Sequence, residues 1–387
     1  MRCASFPFNP TMTIDTEELD NLGRQGPKHG IHISKEEAQR IFTRHLNAIV
    51  LEYKVSPKGY NNRLYWVTTD KGKFVLKAGG RYWKRAKTET EVAALLLVSK
   101  HTAVPVPHVR GWCSDTSICG VEYVITDEVR GTVLSDVWPS MSMDDKKHVL
   151  QQLAEYLGEI KAKVTANLLS QQRIGNFLIT NTRSGDISKN IDIVIDKTID
   201  GVDGGCTAGH YFAAMLDMQL DAFRQDKVYD GMRHLLPRIQ TFTSQSAKLH
   251  AMDSAPVFIH GDISLANILV DKSSPIYGIT AILDWEWAGF FPIQEEFGPI
   301  ADMLNRDPPD LLLHLYTCLE MARYPTGTPN TIPNYGRLSK ANLIRDAIAP
   351  WWLRDRPESK AEETQMLVEK CAKELDGLLL ESEQWDC

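Results

Sequence analysis

Apolar positions along the chain follow two rhythms. Between residues 50 and 130 they come in short runs separated by turn residues. Residues 64–69 and 74–78 are β-prone, and Asp70-Lys71-Gly72-Lys73 between them is turn chemistry, which predicts a hairpin. The stretch TETEVAALLLVSKH, residues 88–101, is apolar on most sides and predicts a well-buried helix, stopped by Pro105 and Pro107. Residues 121–126 supply a further strand, followed by a glycine turn. With a helix from Ser34 to about Val50 in front, residues 50–130 read strand, strand, helix, strand.

After Trp138 the spacing turns helical. Leu150, Leu153, Leu157 and Ile160 share one face of a helix over 143–164. Residues 174–205 hold two β-like pieces around 182–186, a hairpin insertion. Residues 323–336, rich in Pro, Gly, Asn and Thr, read as a loop. The stretch 360–383 is helical, with Leu367, Cys371, Leu375 and Leu378 on its apolar face. The expected division is a loosely held segment over 1–34, a small lobe and hinge over 35–130, and a larger helical lobe over 131–387. No internal repeat interrupts it.

One stretch breaks the helical rhythm. VFIHGDISLANILVD, residues 257–271, sets His260, Asp262 and Asn267 between two apolar runs that read as short buried strands. Further on, AILDWEWAGFFP repeats the design, with an apolar strand over 281–283 and Asp284 at its end. Polar groups at the ends of buried strands are costly unless partnered. Asn267 and Asp284 are hard oxygen donors of the kind Mg²⁺ takes, with water and substrate phosphates completing its shell. Asp262, left outside that pair, could orient and deprotonate a hydroxyl, which is the division of labour in kinase-type phosphoryl transfer. A bare D-x-x-x-x-N would be no more than a loop tied by side chain–backbone hydrogen bonds. The pattern of both motifs together is far more restrictive.

These two motifs resemble the aminoglycoside phosphotransferase/choline kinase family, with a flavour of its fungal members, and the similarity covers most of residues 50–320. The resemblance implies an α+β, protein-kinase-like fold of two lobes, a small β-sheet lobe with one helix and a larger, mostly helical one. It implies ATP and Mg²⁺ as cofactors and transfer of the γ-phosphate to a hydroxyl of a small molecule. Carried over by position, it makes Asp262 the catalytic base, Asn267 and Asp284 the metal ligands, and His260 scaffold for the loop. Gly59 and Asn62 in GYNNRLYWV fall in the nucleotide loop, which is not a Walker A motif. Lys77, closing FVLK, becomes the phosphate-contacting lysine, and Glu91 its partner. Glu91 has a competing reading, because Thr88-Glu89-Thr90-Glu91 is also a capping-box pattern; Glu89 is the reserve partner. Backbone groups of Asp127, Glu128 and Val129 would meet the adenine, and Gly131 would let the chain turn at a hinge over 128–131.

Composition narrows the partners. The chain has 43% hydrophobic and 24% charged residues, a net charge of -7 and no basic stripe interleaved with aromatics, so no nucleic-acid partner is expected. The longest apolar run, near 92–98, is too short to span a bilayer, and the first residues carry no signal-type apolar stretch, so no membrane partner is expected. Seven scattered cysteines without a CxxC point to reduced thiols and a cytoplasmic protein. For the acceptor, Trp285, Glu286, Trp287, Trp351 and Trp352, with Glu295, Glu296 and Asp302, suit an amine-bearing alcohol; the alternative is that these tryptophans pack the core. Two rival functions stand beside the small-molecule kinase. One is a protein kinase, against which G-x-G-x-x-G, H-R-D, D-F-G and A-P-E are all missing. The other is a non-catalytic accessory or biosynthetic protein that has kept the kinase-like shell.

Overall fold

Ser34 opens the first helix. Its hydroxyl accepts from Glu37 N at 3.1 Å, and its own N–H donates to Glu37 Oε2 at 2.7 Å, a closed capping box. The helix, α1 (Lys35–Leu46), ends where Asn47 takes a left-handed conformation, short of the expected Val50, which instead opens strand β1 (Val50–Val55). In the computed structural model, residues 28, 30–57, 59, 61–168, 173–185, 191–249, 255–272, 276–322, 328–354, 356 and 360–385 are described. Most of the segment expected to be loosely held, 1–34, lies outside them, as do 323–327 of the expected loop and 186–190 of the insertion.

The hairpin forms as expected from β2 (Arg63–Thr69) and β3 (Gly72–Ala78), paired from Arg63↔Ala78 to Thr69↔Gly72. Helix α2 (Lys84–His101) follows, then β4 (Val109–Cys113) and β5 (Tyr123–Asp127). The sequence reading missed β1 and β4. The first carries the polar, largely exposed pattern VLEYKV, and the second, VRGWC, is too short to show a period. Helix α2 also begins earlier than expected, so Thr88 lies inside it and the capping box proposed for Thr88 and Glu91 does not form.

The chain enters the second lobe through β6 (Thr132–Val133) and α3 (Met143–Leu168), in which Leu150, Leu153, Leu157 and Ile160 are buried as their spacing required. Strands β7 (Gly175–Ile179), β8 (Ser184–Gly185) and β9 (Ile193–Ile195) make up the insertion, and α4 (Ala208–Gln225) and α5 (Leu236–Leu249) lead to the polar motifs. The insertion is no free hairpin. β7 pairs with β9 inside the second lobe, while β8 pairs with β4 through Trp112↔Gly185 and joins the first lobe's sheet, whose order is β1-β2-β3-β5-β4-β8.

Four more strands carry the motifs: β10 (Val257–Ile259), β11 (Ile268–Asp271), β12 (Gly278–Ile282) and β13 (Gly289–Phe291). They divide between two small sheets, β10-β13-β7-β9 and β12-β11-β6. The loop from β10 to β11 crosses from the first of these to the second, and the loop from β12 to β13 crosses back. Helices α6 (Gln294–Met303), α7 (Pro309–Met321), α8 (Tyr335–Ile348) and α9 (Ala361–Ser382) complete the lobe. In α9 the buried face is Val368, Cys371, Leu375 and Leu379; Leu367 and Leu378, expected on it, are only partly covered.

Three apolar clusters hold these elements. Phe42, Tyr65, Leu76 and Ile125 form the core between α1 and the first sheet. Phe223, Tyr229, Ile344 and Leu375 close a cluster of C-terminal helices. The largest cluster takes Val92, Leu95 and Val98 from α2 together with Leu153, Ile259, Ile268 and Ile282, so α2 shares its core with the second lobe. Among the described residues no helix is long and apolar enough to cross a membrane.

Candidate active site

The two polar loops are forced side by side by the sheets they connect. Ile268 pairs with Ile282 and Ile259 with Gly289, so each loop leaves and lands next to the other. Leu283 N donates to Asn267 O at 2.7 Å, which puts Asn267 against the residue preceding Asp284. Asn267 Nδ2 donates to Asp262 O at 2.8 Å and Asp262 Oδ2 at 3.0 Å. The structure thus brings Asp262, Asn267 and Asp284 together.

His260 is held as scaffold. Its ring lies 4.4 Å from that of Trp285; its Nε2 meets Leu283 O at 2.9 Å, and its Nδ1 accepts Asp262 N–H at 3.2 Å. That pair of contacts needs a neutral imidazole with its proton on Nε2. Burial holds the imidazole below its usual pKa range, against the pull of Glu296. Glu296 accepts from His260 N at 3.3 Å and Gly261 N at 3.0 Å, and pairs with buried Lys161 at 3.4 Å. Gly261 sits at φ 83°, and a Cβ there would lie 2.6 Å from Trp287 O, so the loop accepts only glycine at this point.

Lys77 reaches the same place from β3, where it pairs with Leu64 on one side and Val124 on the other. Its Nζ lies 2.6 Å from Asp284 Oδ1, 3.0 Å from Glu91 Oε1 and 3.0 Å from Glu286 Oε2. Burial pulls its ammonium down, but Asp284, Glu286 and Glu91 outweigh burial and hold it well above the usual lysine range. Burial pushes the Glu91 carboxyl up, and Lys77 offsets only part of that. For Glu286 the balance is reversed: Lys77, Lys87 and the Asn62 amide overcome burial and hold its carboxyl low. Lys77 thus pairs with Glu91 as expected, and with Asp284 and Glu286 besides, while the reserve candidate Glu89 is fully buried elsewhere, bonded to Arg85, Ser114 and Ile179 N.

Other expected residues fall around this centre. Asn62 Nδ2 donates to Glu286 Oε2 at 2.6 Å and Asn62 Oδ1 accepts from Gly80 N at 3.3 Å, while Gly59 shapes the preceding turn at φ 97°. Asp127 is bound by the Arg110 guanidinium at 2.6 and 2.8 Å. The N–H groups of Asp127 and Glu128 donate to His108 O and Lys73 O, and Val129 follows directly. Gly131 (φ 148°) leads into β6, which pairs with β11 beside the loop.

Three of the four acidic residues expected beside an amine already have cationic partners. Glu286 is bound to Lys77 and Asn62, Glu295 to Arg345 at 3.0 Å, and Glu296 to Lys161. Asp302 keeps its carboxyl half buried, which pushes it up to about 6. Trp285 packs in the core, whereas Trp287, Trp351 and Trp352 line a narrow cleft, largely open to solvent, with an enclosed volume of about 30 Å³. Sequence reasoning also missed Lys87. Its Nζ is buried with no partner among the described residues, 6.0 Å over the Trp83 ring, and burial holds it below the usual lysine range. Its place inside α2 gave no signal, because a lysine in a helix is ordinarily solvated and nothing in the local sequence marks this one as buried.

No cluster of three or more His, Cys, Asp or Glu among the described residues could hold a metal by itself. Asn267 and Asp284, two hard oxygen donors on adjoining loops, suit a Mg²⁺ that takes most of its shell from water and phosphates.

Comparison with known proteins bears on the family and the fold. The profile of the phosphotransferase enzyme family matches residues 52–317. A search of curated proteins finds no match. Among solved structures, a candidate aminoglycoside phosphotransferase from Ralstonia eutropha JMP134 superposes with a TM-score of 0.60 at 15% identity, covering 91% of this chain and 98% of its own. A ternary complex of APH(2")-IIa with streptomycin and ATP gives 0.56 at 11% identity, with 89% and 96% covered. A complex of a related APH(2") enzyme with GDP and kanamycin gives 0.53 at 15% identity, with 90% and 99% covered. The fold these share is the two-lobed, protein-kinase-like arrangement of a small antiparallel sheet on a helical lobe.

Proposed function

The chain belongs to the phosphotransferase enzyme family, and from that premise we propose that it moves the γ-phosphate of ATP, with Mg²⁺, to a hydroxyl of a small molecule. The observation that carries this reading is the meeting of Lys77 from the first lobe with Asp284 from the second at 2.6 Å, with Glu91 on its other side and Asp262 on the adjoining loop. Phosphoryl transfer asks a protein for positioning and charge more than for covalent chemistry.

Asp262 takes the acceptor's hydroxyl proton as its oxygen bonds to the γ-phosphorus, and the bond from that phosphorus to the ADP oxygen breaks. Lys77 exchanges Asp284 for phosphate oxygens and stays oriented by Glu91. Asn267 and Asp284 would hold Mg²⁺, which would supply Lewis-acid charge to the phosphates. With the N–H groups of Asp127 and Glu128 already used, adenine recognition falls to their carbonyls and to Val129. The acceptor enters by the aromatic cleft, because the Trp287 backbone packs on Gly261 beside Asp262 while Trp287 also lines the cleft.

The test pairs a binding and a turnover measurement. Mg²⁺-ATP at about 100 times its Kd adds roughly 2.7 kcal/mol to stability, read as a rise in Tm that needs both components and is lost in Asp284→Ala. GTP is run beside ATP, since GDP occupies one of the related structures. Asp262→Asn is expected to keep the rise while kcat falls by about 10²–10⁴. Wild-type turnover in Asp262→Asn would remove the proposed base. Absence of any rise would favour the accessory-protein reading.

A further inference from the structure

The cleft lies between α4, the end of α8 with the turn Trp351–Arg354, and the segment following Asp284. Its walls are aromatic: Trp287, Trp351 and Trp352 with Tyr211 and Phe291. Two of these tryptophans are braced by a further ring. Trp83 meets Trp287 edge-on at 4.9 Å and Trp351 at 6.1 Å, and its Nε1 donates to Asp200 Oδ1 at 2.8 Å. A braced aromatic wall accepts a flat ligand at little entropic cost.

The charges in the lining already have partners. Asp200 accepts from Trp83, and Asp346 is bound by Arg345 Nε at 2.7 Å and Nη2 at 3.1 Å. Two carboxylates against one guanidinium leave a single formal negative charge in the lining. Glu286, Glu295 and Glu296, the carboxylates needed to match several ammonium groups, are consumed by Lys77, Arg345 and Lys161. Two buried polar atoms of lining residues have no hydrogen-bond partner among the described residues: Gln219 Oε1, on a side chain only 4% exposed, and Trp351 Nε1. An unmade buried hydrogen bond is costly, so these atoms suit a ligand bringing one donor and one acceptor.

We propose that the acceptor is a ring-bearing alcohol, flat or aromatic and with at most one positive charge, stacked on the tryptophan wall and hydrogen-bonded to Gln219 and Trp351, and not a polycationic amino sugar. This rests on the phosphotransferase reading for what happens next, but the binding itself does not.

The experiment titrates the full chain, without nucleotide, by its tryptophan fluorescence. The probes are 2-(4-hydroxyphenyl)ethanol and tyramine as ring compounds, choline as a small cation without a ring, and kanamycin as a polycation. Saturable binding of the ring compounds, tighter than that of choline or kanamycin, is expected. Trp351→Phe keeps the ring and loses the N–H, and Gln219→Leu keeps the bulk and loses the amide; each is expected to weaken the ring compounds by up to about tenfold. If Gln219→Leu fails to fold, Trp351→Phe alone decides the hydrogen-bond claim. Preferred binding of kanamycin or choline, no saturable binding of either ring compound, or unchanged affinity in Trp351→Phe would overturn the proposal. ADP release is scored separately. A ring alcohol that binds but yields no ADP with ATP and Mg²⁺ counts against phosphoryl transfer and leaves the cleft assignment standing.

Discussion

Lys161 and Glu296 face each other almost wholly buried, and Glu296 also receives the N–H groups of His260 and Gly261 at the start of the loop from β10 to β11. Removing one member of such a pair leaves a charge without compensation, at a cost of about 3–5 kcal/mol. Lys161→Met is expected to lower stability by that much in a urea titration, and Lys161→Met with Glu296→Gln by less. His260 adds a pH dependence of known sign. Its folded pKa lies below the unfolded value of about 6.5, so below that pH the unfolded chain binds a proton that the folded one refuses. Stability therefore falls as pH drops from about 6.5 toward the folded pKa, by at most about 1.4 kcal/mol per unit for this group. His260→Phe should lose that slope; an unchanged slope would mean that another group carries it. At this scale the sequence was readable where spacing is local. Asp262, Asn267 and Asp284 stand in short motifs, and the structure gathers them. Glu286 was read as acceptor-side charge, because only the tight turn Trp285–Trp287 sets its direction toward Lys77. Lys87 and Lys161 were not singled out, because distant elements bury them.

Elements reveal the limits of periodicity more clearly. Helix α3 buries the leucines its spacing named, since one wide stripe meets one partner surface. Helix α9 buries Cys371 and Leu375 as expected but takes Val368 and Leu379 in place of Leu367 and Leu378, which fall at the margin of the face. Leu375→Ala, at a fully buried position, should cost about 2–5 kcal/mol, while Leu380→Ala, 51% exposed, should stay within about 0.5. Equal costs would refute the observed face. Strands β1 and β4 escaped the sequence reading because an exposed edge pattern and a five-residue run carry little period-two signal. The loop between β10 and β11 is an element too, and its shape depends on Gly261. Gly261→Ala forces a Cβ against Trp287 O, and the expected outcome is lost turnover with a lowered Tm.

At the scale of the whole molecule, three apolar clusters share the work of folding. A chain so divided is expected to unfold with a calorimetric enthalpy above its van't Hoff value, and Mg²⁺-ATP, which the proposed site binds with both lobes, should draw the transitions together. A single sharp transition with equal enthalpies would show the clusters to be one cooperative unit. The two lobes were legible from the change of rhythm near Trp138, but how the insertion connects them was not, since a two-residue strand such as β8 leaves no trace in the sequence. That small strand has a mechanical consequence. The chain runs from lobe to lobe at Gly131, and the β4–β8 pairing fastens them again at Trp112 and Gly185. With α2 packed into the core of the second lobe as well, the small lobe is riveted along a seam rather than hung from one hinge, so any parting of the lobes must strain that seam along its length.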